Sequence, residues 1–97
     1  MIKKSNSQSL GDAIREMLRE YNLERKHDEI DAVGLWPEIA GDMINRHTKN
    51  IYIKSGKLFV KIDSPALKNE LLYARKKIRE AINKRAGKDL ITDVIFT

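Results

Sequence analysis

Two aromatic residues set among lysines are the part of this chain best equipped for binding chemistry. Tyr52 and Phe59 alternate with Lys54, Lys57 and Lys61 in a segment of period-two hydropathy. Ser55-Gly56 reads as a two-residue hairpin loop, which fixes the register of the strands it joins. Lys54 then faces Lys57, Ile53 faces Leu58, Tyr52 faces Phe59 and Ile51 faces Val60. Alternation puts Ile51, Ile53, Leu58, Val60 and Ile62 on one face, and the rings and lysines on the other. Rings that stack bases, beside ammonium groups that neutralise phosphates, suit a single-stranded nucleic acid. The same residues have a purely structural use, because a cross-strand aromatic pair stabilises a hairpin and edge lysines prevent sheet-to-sheet association. The sequence leaves both uses open.

Further cations follow on a basic helix. Ser64 and Pro65 suit its N-cap and first turn, and Gly87 its left-handed C-cap. Leu67, Leu71, Ala74, Ile78, Ala81 and Ile82 repeat at three- and four-residue spacing as a buried stripe. Lys68, Arg75 and Arg79 stack along one flank, Lys76 points further out, and Lys77 and Lys84 take the other flank. The candidate nucleic-acid-binding set is therefore Tyr52, Lys54, Lys57, Phe59, Lys61, Lys68, Arg75, Lys76 and Arg79.

Catalysis has little to work with. The two histidines, His27 and His47, lack zinc-site spacing, and His47 suits a helix C-terminus where an imidazole caps carbonyls. Asp28, Glu29 and Asp31 read as helix-start carboxylates that favour the local dipole. Ala86-Gly87-Lys88 lacks the glycine spacing of a phosphate-binding loop. No cysteine is present, which removes disulfides, thiolate metal sites and cysteine nucleophiles. A non-enzyme without cofactor, metal or small-molecule substrate is the expectation.

The elements that must position these residues follow from pattern and charge. Ninety-seven residues allow one modest core. Residues 1–8 are polar and expected to be disordered, leaving a single domain over 9–97. Ser9 and Asp12 resemble a capping box, and Leu10, Ala13, Ile14, Met17, Leu18 and Tyr21 predict a helix from about Ser9 to Tyr21 whose apolar stripe docks on the rest of the fold. Between Glu24 and Thr48 the pattern is helical but interrupted, with Pro37 suiting a helix start near Trp36, itself a core anchor. The segment from Leu90 to Thr97 reads as a closing strand, parallel to Leu58–Ile62 by the handedness of crossovers, with Val94 and Phe96 inward and Ile95 outward. The predicted class is α+β: a three-stranded mixed sheet covered by the long C-terminal helix, in the order α, broken α, β, β, α, β. Whether the first helix also covers the outer sheet face is left open.

Charge divides the chain. Residues 1–45 hold six Lys/Arg against nine Asp/Glu, net −3, and residues 46–97 hold thirteen against five, net +8. Such asymmetry favours nucleic acid or an acidic protein surface as partner. No apolar run approaches the roughly 20 residues of a membrane span, and the N-terminus lacks a signal-peptide core, so a cytoplasmic protein without membrane contact is expected.

The ordered set Trp36-Pro-Glu-Ile-Ala-Gly41, Ile44, His47-Thr48, Gly56-Lys-Leu-Phe-Val60, Ser64-Pro-Ala66 and Glu70-Leu71, with a final short strand, resembles the bacterial DciA-like family, also known as the domain of unknown function numbered 721. The likeness covers roughly residues 28–97. It implies a KH-like domain acting in chromosome replication, where members assist loading of the replicative helicase and associate with DNA. A helicase or initiator protein is thereby implied as a further partner. By position, Trp36 and Leu71 match as packing residues, Gly41 and Gly56 as turns, and Ser64 and Pro65 as a helix start, with His47, Thr48 and Ala66 also matching. Many relatives carry a long basic extension, whereas this sequence stops at the last strand. The sequence also lacks the G-x-x-G loop by which RNA-binding KH domains clamp a backbone.

Overall fold

A computed structural model of the chain describes residues 9–97; the expected disorder of residues 1–8 lies outside them. The order is α1 (Leu10–Gly34), α2 (Trp36–Ala40), α3 (Asp42–Arg46), β1 (Thr48–Lys54), β2 (Lys57–Ile62), α4 (Pro65–Leu72), α5 (Arg75–Ala86) and β3 (Asp93–Phe96). The sheet order is β1-β2-β3, with β1 antiparallel and β3 parallel to β2. This is the α+β class, element order and mixed sheet that the sequence predicts.

The hairpin pairs as its loop requires: Lys54 with Lys57, Ile53 with Leu58, Tyr52 with Phe59 and Ile51 with Val60. Ser55 and Gly56 both take positive φ, 53° and 74°, the backbone that matches the right-handed twist of two flanking strands. A bulge between Thr48 and Asn50 then shifts the register. The inner face carries Leu58, Val60, Ile62, Val94 and Phe96, which join Ala32, Trp36, Leu71, Ile78, Ile82, Leu90 and Ile91 in the core. Trp36 is 1% exposed, and its indole Nε1–H donates to Thr48 Oγ1 at 3.0 Å. Thr48 Oγ1 in turn donates to the Ile44 carbonyl at 2.8 Å, so one hydroxyl ties α2 and α3 to β1.

The C-terminal helical segment keeps its inward stripe but is interrupted. Tyr73 and Ala74 donate to the carbonyls of Glu70 and Leu71, tight i−3 bonds that separate α4 from α5. Gly87, at φ 74°, closes α5 in the left-handed conformation as expected. Beyond it, Asn83 holds Ile91 by bonds of 2.9 and 3.0 Å to its carbonyl and amide, and the strand begins only at Asp93 rather than Leu90.

The first helix departs furthest from expectation. It runs 25 residues, and Ser9 Oγ caps it by accepting from Asp12 N–H. Its C-terminal half packs on the body: Ala32 is buried, Arg25 Nη2 donates to the Leu90 carbonyl at 3.1 Å, and Lys88 Nζ meets Asp28 at 2.6 Å. Its N-terminal half does not dock. Leu10, Ile14, Met17, Leu18 and Tyr21 stay 44–79% exposed, correcting the expectation that this stripe is buried. The described residues extend 60 × 21 × 19 Å with a radius of gyration of 18.0 Å, against about 13 Å for a compact domain of this size. A helical arm therefore projects from a small body.

Candidate nucleic-acid interface

The outer face of the sheet is built in rows. The residue types that alternate along each strand meet their neighbours across it. Tyr52, Phe59 and Ile95 form the central row, through the pairs Tyr52–Phe59 and Phe59–Ile95. The two rings stack with centroids 5.0 Å apart and planes 11° from parallel. Toward the hairpin loop lies a charged row of Lys54, Lys57 and Asp93; toward the other end Asn50 pairs with Lys61. Tyr52 is 45% exposed, and Lys54, Lys57 and Lys61 are exposed without an ion-pair partner among the described residues. The first helix runs beside β1, where Tyr52 shares a hollow with Lys26, Glu29, Ile30 and Val33 of α1.

The helix cations divide. Arg75 Nη2 donates to both carboxylate oxygens of Asp93, at 2.8 and 2.9 Å. The Arg75 guanidinium, helped by the Val94 amide, holds the Asp93 carboxyl below the usual carboxylate range. Lys76 and Arg79 line a hollow of about 300 Å³ with Leu72, Tyr73, Arg75 and Asp93, so Asp93 joins the sheet's charged row to the helix cations. Lys68 is half-buried on α4 and does not line that hollow. Of the predicted set, the structure thus brings together the five hairpin residues and sets Arg75, Lys76 and Arg79 beside them; Lys68 stands apart, and Arg75 is neutralised where a free charge was expected.

Tyr73 completes the hollow and is missing from the predicted set. It is 92% exposed at the break between α4 and α5, next to the cations. The available signal was an aromatic residue lying off the apolar stripe of its helix.

Other charged groups have structural partners. Asp28, Glu29 and Asp31 lie within α1 rather than at a helix start, and pair with Lys88, Arg25 and His27. Asp28 raises the Lys88 ammonium above its ordinary value. His47 is the C-cap of α3, but its ring does not cap carbonyls. Its Nδ1 lies 2.7 Å from Asp63 Oδ1, and Lys49 Nζ lies 3.3 Å from Oδ2. The His47 contact first, then Lys49, lowers the Asp63 carboxyl. Arg85 pairs with Glu38. Among the described residues there is no group of three or more histidine, cysteine or acidic side chains placed to hold a metal, and no helix long and apolar enough to cross a membrane.

The model of the family "Dna[CI] antecedent, DciA" matches residues 9–96, nearly the whole chain. The chain belongs to the DciA family. A UPF0232 protein of Corynebacterium glutamicum (strain R) is 34% identical over 59 residues, which is 61% of this chain and 33% of that protein. The chain thus spans about a third of the length of this curated relative. The DciA family is associated with DNA replication, and the match includes the arm of α1 that the sequence likeness over residues 28–97 does not reach.

Proposed function

We propose that this chain is a non-enzymatic adaptor of DNA replication that holds nucleic acid, DNA in the first instance, on the outer face of its sheet and meets the replicative helicase as its protein partner. The observation that carries the DNA contact is the stacked Tyr52–Phe59 pair framed by the unpaired Lys54, Lys57 and Lys61. Bases stack on the exposed Tyr52 side of that row while the lysines take the flanking phosphates. Lys76, Arg79 and the exposed Tyr73 extend the path past the β3 edge, and Lys68 is a peripheral member. Family membership supports the replication setting and the helicase partner.

The test is a fluorescence-anisotropy titration of labelled single- and double-stranded oligonucleotides at two salt concentrations. Single-strand affinity should fall with salt at a log–log slope of about −0.7 per phosphate contacted. Lys57→Glu with Arg79→Glu should reduce affinity more than tenfold and flatten that slope. Tyr52→Ala should cost about 1–3 kcal/mol, the worth of one stacked base. Unchanged affinity in both variants overturns the reading.

A protein-interaction module without direct nucleic-acid contact is the competing reading, and the unpartnered apolar stripe of α1 favours it. Helicase capture from a bacterial lysate that survives nuclease treatment, combined with no oligonucleotide binding, would decide for it.

A further inference from the structure

A second surface lies along the free edge of β1 and meets the aromatic row at Tyr52. β1 is an edge strand, with β2 on one side only. A two-residue loop makes Lys54 and Lys57 a hydrogen-bonded pair, and alternation makes Tyr52 and Phe59 the next one. The main-chain groups of Ile51 and Ile53 therefore point away from β2, off the sheet. One local contact agrees: the Ile51 N–H donates to the side-chain Oδ1 of Asn50 at 3.0 Å instead of joining the ladder. The Ile53 amide and the two isoleucine carbonyls have no partner in the ladder.

The C-terminal half of α1 walls this edge lengthwise. Arg25 sits against the hairpin loop, its Nη2 within 3.8 Å of a Cβ placed on Gly56, and Trp36, just past the end of α1, bonds to Thr48 at the other end of the strand. Helix and strand thus run antiparallel along a groove of about 300 Å³ lined by Ile30, Val33, Ile51, Ile53 and the ring of Tyr52. Ile30 is 64% exposed on the helix wall. A strand laid beside β1 would take up the free main-chain groups and set alternate side chains over Ile30 and Val33.

Charge selects the occupant. Lys26 lines the groove and Lys54 ends the strand, and neither has an ion-pair partner among the described residues, whereas Glu29 is held by Arg25 at 3.6 Å. A second copy of this chain would bring its own Lys26 and Lys54 to the same edge. The phosphates of a nucleic acid would meet only Lys26 and Lys54 here, whereas the main-chain groups spaced along the edge match those of another extended chain. We infer that the groove between α1 and β1 binds an extended peptide, alternating in aliphatic side chains and flanked by carboxylates, which adds to the sheet as a fourth strand.

The test uses the full chain, labelled with ¹⁵N, and two synthetic heptapeptides that alternate valine and threonine, one with aspartate at both ends and one with lysine. The acidic peptide should bind at least tenfold more tightly, shift the Ile51 and Ile53 amide resonances and slow hydrogen exchange at Ile53. Ile30→Asp, exposed and therefore compatible with an unchanged melting temperature, should abolish binding without altering oligonucleotide affinity. Lys26→Glu with Lys54→Glu should invert the preference toward the lysine peptide, a readout that loss of fold cannot mimic. Equal binding of the two peptides, an Ile53 amide that keeps its exchange rate, or self-association through this edge in sedimentation would each overturn the inference.

Discussion

Arg75 and Asp93 are joined by two hydrogen bonds from one guanidinium nitrogen, so the first residue of α5 is fixed to the first residue of β3. Asp93 also pairs across the sheet with Lys57 and receives the Val94 amide on Oδ1 at 2.8 Å. Arg75 thus closes the crossover between β2 and β3 from outside, and its charge is spent there.

Arg75→Ala should lower stability by about 0.2–1 kcal/mol, the range of partly exposed pairs that water and salt screen. Arg75→Glu should cost more, since it sets two carboxylates together. Lys76→Glu and Arg79→Glu, which break no pair, should leave the urea midpoint unchanged. Urea denaturation followed by Trp36 fluorescence measures all three. An Arg75 variant that weakens DNA binding must therefore be read together with its stability, whereas Arg79 variants report on binding alone.

The hairpin was legible to the residue because a two-residue loop permits one register, and the aromatic row came with it. The parallel β3 followed from crossover handedness, and the inward stripe of α4 and α5 from its spacing. The fold departs from the apolar pattern where polar groups do what apolar ones usually do. The face of α1 that carries Leu10, Ile14, Met17 and Tyr21 continues at the same spacing into Arg25, Asp28 and Ala32. Arg25 and Asp28 interrupt the apolar period, so the apolar pattern ends at Tyr21. In the fold those two residues dock the helix, through the Leu90 carbonyl and Lys88. The capture of Arg75 by Asp93 depends on where β3 begins, and a run of apolar residues from Leu90 hides that point. Tyr73 lies at a break between α4 and α5 that a continuous apolar stripe does not mark.

Acid should destabilise the body of the fold, apart from the arm that carries Asp12, through two carboxylates. Asp63, held by His47 and Lys49, and Asp93, held by Arg75, are both depressed in the folded state, so the unfolded chain binds more protons as pH falls. Their contribution is fully present above the unfolded carboxylate value of roughly 3.9 and is lost as pH drops through the lower folded values. Lys88 acts at the other end: its raised value gives stability that is complete below about 10.4 and lost as pH rises through the folded value. Urea midpoints across pH 2.5–5 should fall steeply for the wild type and less steeply for Asp63→Asn and Asp93→Asn, both of which start lower at pH 7.

A part-buried hydrogen-bond relay anchors the core residue Trp36. Trp36→Ala should cost about 3–5 kcal/mol, as truncation of a buried aromatic residue does. Thr48→Val is the sharper probe, because it keeps the volume and leaves the indole N–H without an acceptor, at about 1–3 kcal/mol. Thr48→Ser restores the hydroxyl and should recover most of that loss. If valine and serine behave alike in urea denaturation, the Trp36–Thr48–Ile44 relay contributes nothing and packing alone holds the corner.

The arm of α1 should be separable from the body. Its exposed residues from Leu10 to Tyr21 make no core contact, and a helix that short is marginal by itself in water. Amide hydrogen exchange should therefore be fast through residues 12–21 and slow through 27–34, where Asp28 and Ala32 are anchored. Met17→Gln with Leu18→Gln should change the stability of the isolated chain by less than about 0.5 kcal/mol, as surface substitutions do. Removing residues 1–20 should leave the cooperative unfolding of the body in place. The same variants should weaken capture of a protein partner if the stripe is what that partner covers, so an unstable Met17→Gln/Leu18→Gln chain would show instead that the arm folds back onto its own domain.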